Sequence, residues 1–385
     1  MFAHRTEWDL APNRLSEALA SRRASGQQVI DLTCSNPTEV GFVYHGEAIL
    51  QALHHPDALK YEPDPRGLPV ARRAVSEYYS HGRAEISIDN ILLTTSTSEG
   101  YSFVLRTICN PGDELLVPAP SYPLFDFLAD IQDVKLSPYP LFYDHGWQID
   151  FHALKQAITA RSRGVIVVHP NNPTGHFTKA GELQELNRIC AARGMALIAD
   201  EVFLDFGLEE SWPLSFAANR DALTFTLSGL SKICGLPQMK MAWIVASGPE
   251  SLKAKAMTRL DVIADTYLSV NTPVQLAMPI FLQQREGFQR QVVARARVNL
   301  AELDRQLAAQ PFCSRLGVEG GWYAVLRIPA IQADEDFAIE LLAAQSVYVH
   351  PGHFYNFPAE GYLVASLITR PQEFAEGIKR LLGML

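Results

Sequence analysis

Short apolar runs alternate with amphipathic stretches through the middle of the chain, and this alternation sets the first expectation. Runs at 91–94, 114–117, 164–169, 196–199, 223–227 and 241–246 have strand length, and five of the six are nearly uninterrupted in their hydrophobicity. Such runs suit strands covered by helices on both faces of a sheet. Between them the pattern predicts helices, for example over 97–109 and 179–193. Repeated strand–helix units imply an α/β fold with a mostly parallel central sheet flanked by helices.

After about residue 279 the character changes. A long polar, amphipathic stretch over 288–310 precedes GGWYAVLRI and a closing helix over 373–382. We therefore expect a large domain at 45–280 and a smaller α+β domain at 281–385. Residues 1–44 carry a predicted helix over 13–25 but no neighbouring strand partner, and are expected to pack on the small domain.

Composition narrows the function. A chain of 385 residues with 48% hydrophobic residues can bury a large core and a smaller one. The net charge of −9, with dispersed basic residues, offers no footprint for nucleic acid. No apolar run reaches the roughly 18 residues that span a bilayer, and the N-terminal MFAHRTEWDLAPNRL lacks a signal-peptide core. The five cysteines are scattered without C-x-x-C spacing, which fits reduced thiols in the cytoplasm. The histidines lack H-x-x-x-H spacing and the acidic residues are not clustered as ligands, so no metal is expected. A small-molecule substrate is the remaining class.

Six stretches carry chemistry. In SGLSKICGLPQMKMAWIV, Lys232 follows a predicted strand and is crowded by small and apolar neighbours. Desolvation lowers the pKa of such an amine and makes it a nucleophile toward an aldehyde. In ALIADEVF a strand delivers Asp200 to its carboxyl end, where a carboxylate can keep a heterocyclic nitrogen protonated. In VVHPNNPTG, Asn172 sits in a turn-rich loop and can donate to a phenolate-like oxygen. TTSTSEG runs from a strand into a helix, with Ser96 and Glu99 spaced as a capping box; Ser96, Thr97 and Ser98 at a helix N-terminus make a phosphate site. Tyr122 in PAPSYPLF can stack on a flat ring, and Tyr61 in KYEPDPRG can offer a hydroxyl to a phosphate.

Taken in order, these positions resemble the class I/II aminotransferases, fold-type-I enzymes that use pyridoxal 5'-phosphate, from about residue 28 to the end. The resemblance implies an amino group passed between an L-amino acid and a 2-oxo acid through a Lys232 Schiff base, with Lys232 also moving the proton. It implies that Asp200 pairs with the pyridine nitrogen, Asn172 with the ring oxygen, and Tyr122 with the ring face. Ser96, Thr97, Ser98, Ser228 and Ser231 would surround the phosphate. It implies a homodimer with shared active sites, Tyr61 reaching the partner's phosphate, and places the cofactor in the 45–280 domain.

Three departures qualify the likeness. Phe203 stands where the family usually has a tyrosine on the ring oxygen, so the Schiff-base pKa is expected to rise. Lys240 replaces the usual phosphate-clamping arginine, a point charge for a bidentate fork. In GYLVASLITR, Leu363 or Val364 occupies the place of the arginine that holds the substrate carboxylate, leaving Arg370, His350 and Asn36 as substitutes. These departures keep a second reading open, a lyase performing α,β-elimination, such as a C–S lyase, on the same fold.

Overall fold

The computed structural model describes residues 1–209, 214–268 and 270–385. In chain order its strands are β1 (Ile30–Asp31), β2 (Ile91–Thr94), β3 (Glu114–Ala119), β4 (Lys135–Tyr143), β5 (Trp147–Ile149), β6 (Ser162–Val168) and β7 (Ala196–Asp200). There follow β8 (Thr224–Gly229), β9 (Ala242–Ser247), β10 (Ser314–Arg315), β11 (Tyr323–Arg327), β12 (Val347–Tyr348), β13 (His350–Pro351) and β14 (Tyr362–Ser366).

The central sheet has the order β2-β9-β8-β7-β6-β3-β4-β5, and β8, β7, β6, β3 and β4 run parallel. Because side chains alternate across a sheet, each buried strand feeds two cores. Ile166, Ile198, Phe225 and Ile244 face the helices Thr97–Ile108 and Glu250–Tyr267. Their sequence neighbours Val165 and Leu197 face the helix Ala180–Arg193, while Trp243 and Val245 meet Pro69–Ser80 and the first turns of Thr272–Leu307. This two-sided burial is the α/β architecture expected from the uninterrupted apolar runs.

All six predicted strands form, each within a residue or two of its expected ends. The strand β4 was not anticipated, since Pro138 and Pro140 interrupt its sequence pattern. Both prolines lie in the half of β4 that has only β3 as a strand neighbour, where a missing N–H is tolerated. Pro279 likewise fails to stop a helix: Thr272–Leu307 runs through it, and begins where the Asn271 side chain accepts the Val274 N–H.

A second, antiparallel sheet of order β10-β11-β14-β13 lies over its own core with the helices Asp334–Gln345 and Pro371–Leu382. The helix Arg14–Ala24, capped by Asn13, buries Leu15 in that core. β1 pairs in parallel with β12 beside it.

Candidate active site

β2 runs in the same direction as β8, because each is antiparallel to the β9 between them. The carboxyl ends of β2, β3, β6, β7 and β8 therefore share one edge, the place where open α/β sheets hold ligands. Thr97 begins the helix after β2, Tyr122 follows β3, Asn172 follows β6, Asp200 ends β7, and Lys232 lies in the short helix Leu230–Ile233 directly after β8. All five line one cavity of about 160 Å³, together with Phe203 and Ser231.

The electrostatics of this cavity follow from burial. Desolvation lowers the Lys232 amine from 10.5 to about 8, although Asp200 draws it back up. Its Nζ lies 5.0 Å from the Trp322 ring centre and 5.7 Å from that of Phe203, so ring faces replace part of the lost hydration. Burial also raises the Asp200 carboxyl to about 6, against the pull of the Val202 N–H, the Tyr101 hydroxyl and Lys232. Tyr101 donates to Oδ2 at 3.1 Å and Val202 N–H to Oδ1 at 3.1 Å, which fixes the carboxylate plane.

Asn172 supplies a different signal. Its Oδ1 is buried without a hydrogen-bond partner among the described residues, a cost of about 1–3 kcal/mol unless a ligand meets the amide. Asn171 beside it is fully engaged: Nδ2 donates to Pro120 O at 3.1 Å and Thr174 Oγ1 at 3.0 Å, and Oδ1 accepts from Ser121 Oγ at 3.2 Å. It thereby ties the loop of Asn172 to that of Tyr122. Gly175 closes the same loop at φ +72°, its carbonyl accepting the N–H of Gly320 at 3.1 Å. A Cβ there would come within 2.4 Å of Val318 and 2.6 Å of Gly320 O. Gly175→Ala is expected to cost at least about 2 kcal/mol. A urea-unfolding midpoint unchanged from wild type would show that the loop relaxes freely.

The remaining expected residues lie outside the lining. Ser96 uses its hydroxyl to accept the Glu99 N–H at 3.2 Å, and Glu99 turns back to the N–H of Thr95 rather than to that of Ser96. Ser98 is exposed, and Ser228 donates to Glu201 O at 3.3 Å. Lys240 is exposed in a left-handed conformation, and Tyr61 is 72% exposed. The Asn36 amide oxygen accepts from Thr38, His350 meets the Tyr355 hydroxyl at 3.1 Å, and Arg370 reaches out to Glu39 O and Glu373. Val364 is buried on β14 opposite Val325 and His350. Among the described residues, Lys232 is thus the one cationic side chain lining the cavity. The lining also contains Ser35, Val168, Val202, Gly229, Ala242 and Tyr323, none of which stood out in sequence.

The profile of the family described as "Aminotransferase class I and II" matches residues 28–379. The chain belongs to this aminotransferase family. It is 28% identical over 377 residues to an alanine aminotransferase of Mycobacterium tuberculosis, covering 94% of this chain and 86% of that protein. It is 27% identical over 344 residues to the glutamate-pyruvate aminotransferase AlaA of Escherichia coli K12, covering 86% and 84%. An alanine aminotransferase structure from Pyrococcus furiosus superposes with a TM-score of 0.91 over 100% of this chain and 99% of that one, at 22% identity, which shows the shared fold. Aminotransferases of this class and fold use pyridoxal phosphate, so this aminotransferase is an enzyme with that cofactor. The cavity fits it: the Asp200 carboxylate, the desolvated Lys232 amine and the Asn172 side-chain amide line one small space. No helix among the described residues is long and apolar enough to cross a membrane.

Proposed function

We propose that Lys232 holds pyridoxal 5'-phosphate as a Schiff base and that the enzyme moves the amino group of an L-amino acid to a 2-oxo acid. The observation that carries this reading is the Lys232 amine, lowered to about 8 in a cavity whose nearest charge is Asp200. When bound, the cofactor supplies an aldehyde carbon and an electron-withdrawing pyridine ring. Lys232 would be the nucleophile toward that carbon and the base that takes the proton from the substrate carbon bearing the amino group. Asp200, oriented by Tyr101, holds the ring nitrogen protonated. Asn172 meets the ring oxygen, Tyr122 covers the ring, and Thr97 and Ser231 offer hydroxyls to the phosphate beside the N-terminus of Thr97–Ile108.

The test is the visible spectrum of the purified enzyme before and after L-amino acids. The relatives are named for alanine and for the glutamate–pyruvate pair, so alanine and glutamate come first. Conversion of the bound-cofactor band to the amine form supports the proposal. Release of ammonia and a keto acid without that conversion would favour the elimination reading, which no observation on the site supports.

The reading extends to assembly and place. We take the enzyme to be a cytoplasmic homodimer with a cofactor-binding large domain at 45–280 and a small domain at 281–385. Leu59 and Tyr61, at 96% and 72% exposure, are the side chains a partner would cover. With no arginine among the described residues lining the cavity, the substrate carboxylate meets the neutral groups of Asn172, Ser35 and Tyr323.

Phe203 gives a sharper test. Phe203→Tyr adds a hydroxyl donor for the ring oxygen, stabilises the deprotonated Schiff base, and is expected to lower the pH of the spectral transition by about one unit. A transition that stays in place, with full cofactor content, would show that position 203 does not address the ring oxygen.

A further inference from the structure

A second cavity, of about 690 Å³, lies between the end of helix Pro69–Ser80 and the middle of Thr272–Leu307. It shares no lining residue with the cavity around Lys232. Its walls carry four arginines, Arg83, Arg285, Arg290 and Arg297, against two carboxylates, Asp205 and Glu286. Arginine stays charged in proteins, so this lining holds two more positive charges than negative ones.

The arrangement is built rather than incidental to the surface. The Arg83 side chain is only 8% exposed, and its guanidinium is held by Asp205 at 2.5 Å and by the Tyr78 hydroxyl at 2.7 Å. Its Nε–H is buried without an acceptor among the described residues. Arg285, 15% exposed, lies over the same Tyr78 ring: the two guanidinium carbons sit 5.2 Å and 5.4 Å from its centre. Asp205 compensates one of these two charges. The carboxylate that meets Arg285 is Glu286, at 3.9 Å, and Glu286 also faces Arg290 at 3.6 Å. Arg285 spends Nη1 on Leu282 O at 2.6 Å, and its remaining donors, with those of the exposed Arg290, leave surplus positive charge on this wall that suits an acceptor with several oxygens.

We propose that this cavity binds a small dianionic oxyanion, a phosphate or a dicarboxylate, between Arg83, Arg285 and Arg290. The site is one hydrogen-bonded link from the catalytic lysine. Gln289 Nε2 donates both to Asp205 Oδ2, at 2.5 Å, and to the carbonyl of Ile233, at 3.0 Å, and Ile233 follows Lys232 in the chain. The inference does not depend on which amino acid the enzyme uses.

Calorimetric titration of the cofactor-loaded enzyme with inorganic phosphate and, separately, with succinate tests it, since the cofactor already fills its own phosphate site. At least one of the two is expected to bind with a dissociation constant in the millimolar range or tighter, and the one that binds identifies the source class. Arg290→Gln, at an exposed position where folding is undisturbed, should weaken that binding roughly tenfold, and Arg285→Gln at least as much, because each removes a charged hydrogen-bond donor. Neither substitution should change cofactor content. Absence of binding for both anions up to tens of millimolar would overturn the proposal. So would binding that both variants leave intact, which would place the anion in the catalytic cavity.

Discussion

Lys232→Met is expected to lower turnover by roughly four orders of magnitude or more, because one side chain loses both its nucleophilic and its proton-moving roles. Methionine keeps the unbranched stem between Trp322 and Phe203 and removes the amine, so the loss reports chemistry rather than packing. The lowered pKa keeps that amine available at neutral pH. At pH 7 an amine lowered from 10.5 to about 8 is neutral in about a tenth of molecules, roughly 300-fold more than an unperturbed lysine. Borohydride reduction followed by peptide mass analysis should find the cofactor on Lys232 in the wild type and nowhere in the variant. A second readout has a definite sign. In the cofactor-free protein the folded-state pKa lies below the unfolded one, so the charge penalty of Lys232 is fully present below about pH 8 and vanishes as pH rises toward 10.5. Relative to Lys232→Met, the cofactor-free wild type should therefore gain about 3 kcal/mol of stability across that window. A flat difference between the two proteins would mean that the amine is solvated and the cavity open. Wild-type turnover in the variant would remove Lys232 from the mechanism.

The residues that could be read from sequence are those whose neighbours announce their position. Lys232, Asp200, Asn172 and Thr97 each follow an apolar run of strand length, and a parallel sheet brings all such ends to one edge. The fold was legible for the same reason, since β6, β7 and β8 are buried on both faces. What was hidden depends on contacts between distant segments. Tyr101 reads as one more core aromatic on an amphipathic helix, and only the packing of that helix against β8 and β9 turns its hydroxyl to Asp200 at the end of neighbouring β7. Ser35 and Tyr323 come from opposite ends of the chain, and Asn171 looks in sequence like a twin of Asn172 although its hydrogen bonds are spent on the scaffold. Hydroxyl identity alone does not give present partners: Ser96 caps its helix, Ser98 faces solvent and Ser228 donates to a backbone carbonyl.

Asp200→Asn should lower turnover by roughly 10²- to 10³-fold while leaving the fold intact, since the amide has nearly the shape of the carboxylate and differs in charge. A neutral acceptor can still take a hydrogen bond from a protonated ring nitrogen, but it supplies no charge to keep that proton in place. The amide has one acceptor oxygen where the carboxylate has two, so it keeps the hydrogen bond from the Tyr101 hydroxyl or that from the Val202 N–H, not both. The loss should fall on the step that moves the proton from the substrate carbon, so the single-turnover rate with an amino acid drops and substrate affinity changes little. The pH dependence separates this role from packing. In the empty cavity burial holds the carboxyl at about 6, so acidification through that value protonates Asp200 and removes the charge the cofactor needs. Protonation of Asp200 should thus add to the decline in cofactor affinity of the wild-type apoenzyme as pH falls from 7 toward 5, by up to a further tenfold per pH unit beyond what the Lys232 amine imposes. In Asp200→Asn the affinity should start lower and lose the Asp200 share of this dependence, keeping only the decline that protonation of the Lys232 amine imposes on both proteins. A variant that keeps the wild-type pH profile would assign the titration to another group. One that keeps the wild-type single-turnover rate would show that a charge at position 200 is not what makes the ring an electron sink.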